Sequence, residues 1–134
     1  MQIYLTHCSK NKSLLAKKSG EKMTPNQLYT DPGLQAFIRR CREVNSPYAI
    51  LSDVFGVIFP DEKHEYYEKP PSTVTPEEEI KITENFHIRL SAFDEIRFYV
   101  RKETFHPFYE RIIRNGPLAE RVFLIYDLAS INNP

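Results

Sequence analysis

The 134-residue chain has no tryptophan, only two cysteines and four glycines, and no surplus of either charge. Each scarcity closes off a class of function. The glycines Gly20, Gly33, Gly56 and Gly116 stand singly, so there is neither a phosphate-cradling glycine loop nor a dinucleotide fingerprint. Cys8 and Cys41 lie far apart and match no zinc spacing. With no signal peptide at the start, they point to a reduced, cytoplasmic protein rather than a disulfide scaffold. His7, His64, His87 and His106 show no ligand spacing either, so no metal and no cofactor is expected. No apolar run reaches the ~18–20 residues of a membrane helix. Basic and acidic side chains number 18 each, which removes any global field toward nucleic acid or anionic lipid and leaves only local patches.

What the chain has in quantity is aromatic surface: 8 tyrosines and 9 phenylalanines. The length suits a single domain, residues 1–134, able to bury a core without staples. Residues 2–6 read as a buried first strand. Residues 9–22 carry five lysines, Lys10, Lys12, Lys17, Lys18 and Lys22, and read as an exposed loop. Asp31-Pro32 opens a helix, with Asp31 as cap and Leu34, Phe37, Ile38 and Cys41 on its apolar side, opposite Arg39, Arg40 and Arg42. Residues 48–51 form a second strand; Phe55 to Pro60 reads as a turn and a short extended piece, and residues 61–76 as a loop.

Thr75-Pro76-Glu77-Glu78 carries the capping box of a further helix, given a buried side by Ile80, Ile82, Phe86, Leu90 and Phe93 out to about Ala92. Alternation over residues 95–102 predicts a half-covered or edge strand, residues 107–115 a short helix stopped at Asn115-Gly116-Pro117, and residues 121–127 a continuous apolar strand at the sheet centre. Strands alternating with helices predict one α/β domain of three layers: a mainly parallel sheet of about four strands with helices on both faces.

Open sheets of this kind bind ligands at the carboxyl ends of their strands. Two short polar turns stand there: His7-Cys8-Ser9-Lys10-Asn11-Lys12 and Ser52-Asp53-Val54-Phe55-Gly56. Lys10 and Lys12 suit a phosphate, as point charges beside small residues. Ser52 and Asp53 suit polar edges of a ligand, with Asp53 a candidate base. Tyr29, Phe55 and Tyr67 offer flat rings for a nucleobase. Cys8, with lysines nearby, is a candidate nucleophile through a lowered pKa. Each has a plainer reading as well: Cys8 packed under its loop, Ser52-Asp53 forming a turn, Gly56 permitting a positive φ, and the aromatics filling the core.

The set Cys8-Ser9-x-x-Lys12, Leu28-Tyr29-x-x-Pro32 and Ile50-Leu51-Ser52-x-x-Phe55-Gly56-Val57-Ile58-x-Pro60 resembles a family of bacterial and archaeal α/β domains. That family is similar to the peroxide-stress YaaA-type proteins and to a domain of archaeosine synthase and its transglycosylase relatives. The likeness covers roughly residues 3–67. Phe55 stands where Tyr is common, Leu34 where Phe is usual, Tyr66-Tyr67 replaces a Pro-Tyr, and the Lys-Pro-Tyr of the archaeosine branch is missing.

The resemblance implies a cleft walled by residues 7–12, 28–30 and 52–56 under the 61–72 loop. Its ligand residues would be Ser9, Lys10, Lys12, Tyr29, Ser52, Phe55, Gly56 and Tyr67, with Cys8 and Asp53 the candidates for chemistry. The partner would be a nucleotide, nucleobase or nucleic-acid segment, with nucleobase or glycosidic-bond chemistry in view. Two other readings stand beside it. One is a non-catalytic module that binds nucleic acid or protein through Lys10, Lys12, Lys17, Lys18, Lys22 and Arg39, Arg40, Arg42. The other is a thiol-dependent stress protein using Cys8.

Overall fold

Five strands form one sheet in the order β3-β2-β1-β4-β5. They are β1 Gln2–His7, β2 Tyr48–Ser52, β3 Gly56–Ile58, β4 Glu95–Tyr99 and β5 Val122–Ile125 in a computed structural model that describes residues 1–132. The helices are α1 Leu14–Ser19, α2 Pro25–Leu28, α3 Pro32–Glu43, α4 Pro76–Leu90 and α5 Pro107–Asn115. β1 lies parallel to both β2 and β4, and β4 parallel to β5; β3 alone runs antiparallel, as a hairpin on β2. Parallel strands covered on both sides need apolar residues on both sides. Ile3, Tyr4, Leu5, Thr6 and His7 are accordingly all buried.

The two faces can be followed through the ring contacts. Phe37 of α3 stacks on Tyr99 and meets Tyr48 edge-on. Tyr109 of α5 packs on His7, which stacks on Phe98. α4 reaches β3 through Asn85, whose Oδ1 accepts from the Val57 N–H at 2.8 Å. So α3 covers one face, and α4 and α5 the other. The helix starts follow the cap chemistry: Asp31 accepts from Leu34 N, and Thr75 and Glu78 form a complete capping box. No helix among the described residues is long and apolar enough to cross a membrane.

The mainly parallel α/β sheet with helices on both faces is as expected. The short extended piece after Phe55 becomes its fifth strand, because the Ser52 hydroxyl accepts from the Val54 and Phe55 N–H groups and Gly56 takes φ 73°, folding the chain straight back as β3. Three expectations are corrected. β5 is an edge strand and β4 lies inside the sheet. Continuity of an apolar run does not report the number of in-plane neighbours, and here it does not report burial either: Phe123 is exposed and the rest of β5 only half-buried. The lysine-rich stretch contains a helix, capped by Ser13 and closed by Gly20 at φ 70°, with Ala16 buried beneath it. Finally, α4 ends at Leu90 and leaves Ile80 exposed; Ile82, Phe86 and Leu90 are its buried residues.

Candidate functional site

β1 is where the crossovers part. The chain leaves it through α3 to β2 on one side and returns through α4 to β4 on the other. In open α/β sheets this divergence leaves a crevice at the strands' carboxyl ends. A cleft of about 1210 Å³ lies there. Residues 8–12, just past β1, form one wall, and Thr30, Asp31 and Asp53 line it beside them. Thr104, His106 and Tyr109 supply the wall after β4, and Tyr66 with residues 68–71 the cover.

The floor is a buried polar cluster. The Cys8 thiol donates to Asp53 Oδ1 at 3.6 Å and lies 3.2 Å from the Tyr109 hydroxyl. Burial, and then the neighbouring Asp53 charge, push the Cys8 pKa up. Burial also raises Asp53 above the ordinary carboxylate range and lifts the Tyr109 phenol. The thiol is therefore protonated at neutral pH, so the expectation of a thiolate activated by nearby lysines is corrected. Lys12 does not ion-pair with it: its Nζ sits 4.3 Å from the Tyr67 ring centroid and donates to the Lys10 carbonyl. Desolvation lowers the Lys12 pKa. What the cluster can do is hold and pass a proton between a thiol, a carboxyl and a phenol at the bottom of a cleft.

No protein-family profile, curated protein or solved structure matches this chain. Its chemistry is to be read from its own geometry.

Of the residues singled out from sequence, Cys8, Ser9, Lys10, Lys12 and Asp53 line the cleft. Tyr29, Ser52, Phe55, Gly56 and Tyr67 stand behind it as a second layer. Tyr29 is fully buried, its hydroxyl 2.6 Å from that of Tyr67, which lies 3.0 Å from Ser52 Oγ. Phe55 stacks on His64 and meets Tyr67 edge-on. A Cβ on Gly56 would lie 2.4 Å from Asn85 Oδ1, so this glycine is required by packing as well as by its φ. His7 is buried beneath Phe98, Phe105 and Tyr109, with Nε2 2.8 Å from Thr104 Oγ1.

Sequence reasoning missed the wall after β4. Thr104, His106 and Tyr109 come from beyond residue 100, outside the segment that carries the motifs. The available signal was the parallel order itself: parallel strands end on the same side, so whatever follows β4 faces whatever follows β1. It also missed Arg101, whose Nη2 donates to the carbonyls of His7 and Cys8 while Nη1 pairs with Asp31 at 2.8 Å. That guanidinium ties the ends of β1 and β4 to the start of α3. The two proposed basic surfaces are separate. α3 runs from Asp31 at the cleft to Glu43, so Arg39, Arg40 and Arg42 lie roughly 15 Å of helix away from Lys10 and Lys12.

Proposed function

We propose that the cleft binds a nucleotide, free or as one unit of a nucleic-acid strand, and holds its base or sugar over the Asp53–Cys8–Tyr109 cluster. The observation that carries this reading is the pairing of a cationic rim with a buried acid–base floor in one cleft. Lys10 makes no ion pair among the described residues, Lys12 stands beside it, and Lys69 is on the opposite lip with Glu78 3.3 Å away. Such point charges suit a phosphate. Tyr66 offers ring surface, and Thr30 and Thr104 offer polar edges, in a space large enough for a ligand of that size. Burial lifts the Asp53 pKa above its ordinary value, which suits this carboxyl to taking up and releasing a proton, so base or glycosidic-bond chemistry is the reaction class this floor fits.

Thermal unfolding with a panel of mononucleotides, nucleosides, free bases and inorganic phosphate tests the proposal. Mononucleotides are expected to raise the midpoint more than phosphate or bases alone, and Lys12→Ala to abolish most of that gain. Absence of stabilisation by every nucleotide, at millimolar concentration, overturns it.

A further inference from the structure

The two edges of the sheet are treated very differently. At β3 the outward N–H groups are covered: Val57 N donates to Asn85 Oδ1 at 2.8 Å and Phe59 N to Glu62 Oε1 at 2.7 Å. β3 is also only three residues long and is followed by Pro60. Short strands, side-chain caps and proline are the usual protection of a sheet edge. β5, at four residues, is short as well, but it has no proline and no side-chain cap on its outward N–H groups among the described residues. Val100 N donates to the Ile125 carbonyl at 2.9 Å, which fixes the parity of the ladder. Phe123 and Ile125 turn their backbone groups toward β4; Leu124 and Tyr126 turn theirs outward. Neither outward N–H has a partner among the described residues. The strand is apolar, and Phe123 and Tyr126 are 51% and 55% exposed.

We infer that β5 pairs with β5 of a second copy of this chain, antiparallel, about a two-fold axis through Leu124. The sequence around the strand is self-complementary in that register alone. Leu124 faces Leu124 of the second copy, Phe123 faces Ile125, and Val122 faces Tyr126. One step further out, Arg121 faces Asp127 on both sides of the axis. Leu124 N–H donates to the Leu124 carbonyl of the other copy, and Tyr126 N–H to its Val122 carbonyl. The Val122 N–H is already held by Ala119 within the chain.

Arg121 uses only Nη1 for the carbonyls of Ser91 and Phe93, and Asp127 only Oδ1 for Ser130. Each charge therefore keeps an atom for its counterpart. Sliding the register by two residues would lose both ion pairs, and sliding it by one would turn the side chains to opposite faces. The product is a continuous ten-stranded sheet with its two clefts at opposite ends.

Light scattering and sedimentation of the full chain between 1 and 200 µM test the pairing. A mass of two chains is expected at the upper end. Arg121→Asp is expected to weaken association by about tenfold or more, since like charges then face each other. Combining it with Asp127→Arg restores association, an outcome that mere damage to the fold does not produce. Leu124→Cys is expected to cross-link to itself under mild oxidation, because bonded antiparallel partners have Cα atoms ~5.5 Å apart, within disulfide reach. Phe123→Cys, displaced from the axis, is expected not to. A chain that stays monomeric at 200 µM overturns the inference. So does a dimer indifferent to the charge reversals in which Leu124→Cys fails to cross-link.

Discussion

Asp53 is the residue at which stability and chemistry oppose each other. The residue is 2% exposed, and burial raises its pKa. The folded state therefore binds a proton more tightly than the unfolded chain does. The charged form costs stability once pH rises above the ordinary aspartate value, and the cost is complete above the folded pKa. Asp53→Asn removes that cost. Melts at pH 8 should show the variant more stable than the parent, with the gap closing as pH falls to about 4. Nucleotide-induced stabilisation should weaken in the same protein.

Cys8 gives a companion measurement. With its thiol held protonated by burial, iodoacetamide should label it more slowly than free cysteine at both pH 6 and pH 8.5. A third expectation concerns Gly56. Alanine there must adopt φ 73° and displace Asn85, so Gly56→Ala should lower stability in urea by about 1–3 kcal/mol or more.

At the scale of elements, Arg101 decides how the walls of the cleft hold together. Its side chain is 9% exposed and its partners come from β1 and from the cap of α3. Removing one partner of so buried a pair typically costs about 3–5 kcal/mol. Lysine keeps the charge but lacks the planar fork that spans the Asp31 carboxylate and the β1 carbonyls. Arg101→Lys should speed hydrogen exchange at Ser13 and Thr30, whose amides bond to Leu28 and Asn11 across the cleft wall. The amides of β1 and β2 should keep their protection.

Local chemistry made several elements readable. Asp31-Pro32, Thr75-Pro76-Glu77-Glu78 and Asn115-Gly116-Pro117 mark helix ends by groups that satisfy or terminate a backbone. The in-plane place of β5 was not readable, because neighbours within a sheet leave no trace in the strand's own pattern. The same limit split the site. Residues 8–12 and Asp53 could be named from strand ends close in sequence to the motifs. The inward turn of Tyr29 and Ser52 could not, because both follow the same polar and aromatic pattern as true ligand groups.

For the molecule as a whole, His7 sets a lower limit on pH. Burial, then the Arg101 charge, take its pKa down to about 2. The unfolded chain takes up that proton near pH 6.5, so unfolding is favoured progressively below that value, by up to ~1.4 kcal/mol per pH unit. Urea titrations from pH 7 to pH 4 should show this loss, and His7→Gln should flatten it.

The position of β1 carries a further consequence, for how the chain reaches its fold. Of the five strands, this one is synthesised first and lies at the centre of the sheet. Its register partners are 93 residues away in β4, where the Thr6 hydroxyl meets the Tyr99 carbonyl, and in β2 from Tyr48 onward. Local contacts cannot complete it, and the entropy of closing those loops must be met before pairing returns anything. Until β4 has left the ribosome, one flank of β1 is an open apolar edge. The chain is thus most exposed to misassembly before β4 emerges, on the strand that ends deepest inside.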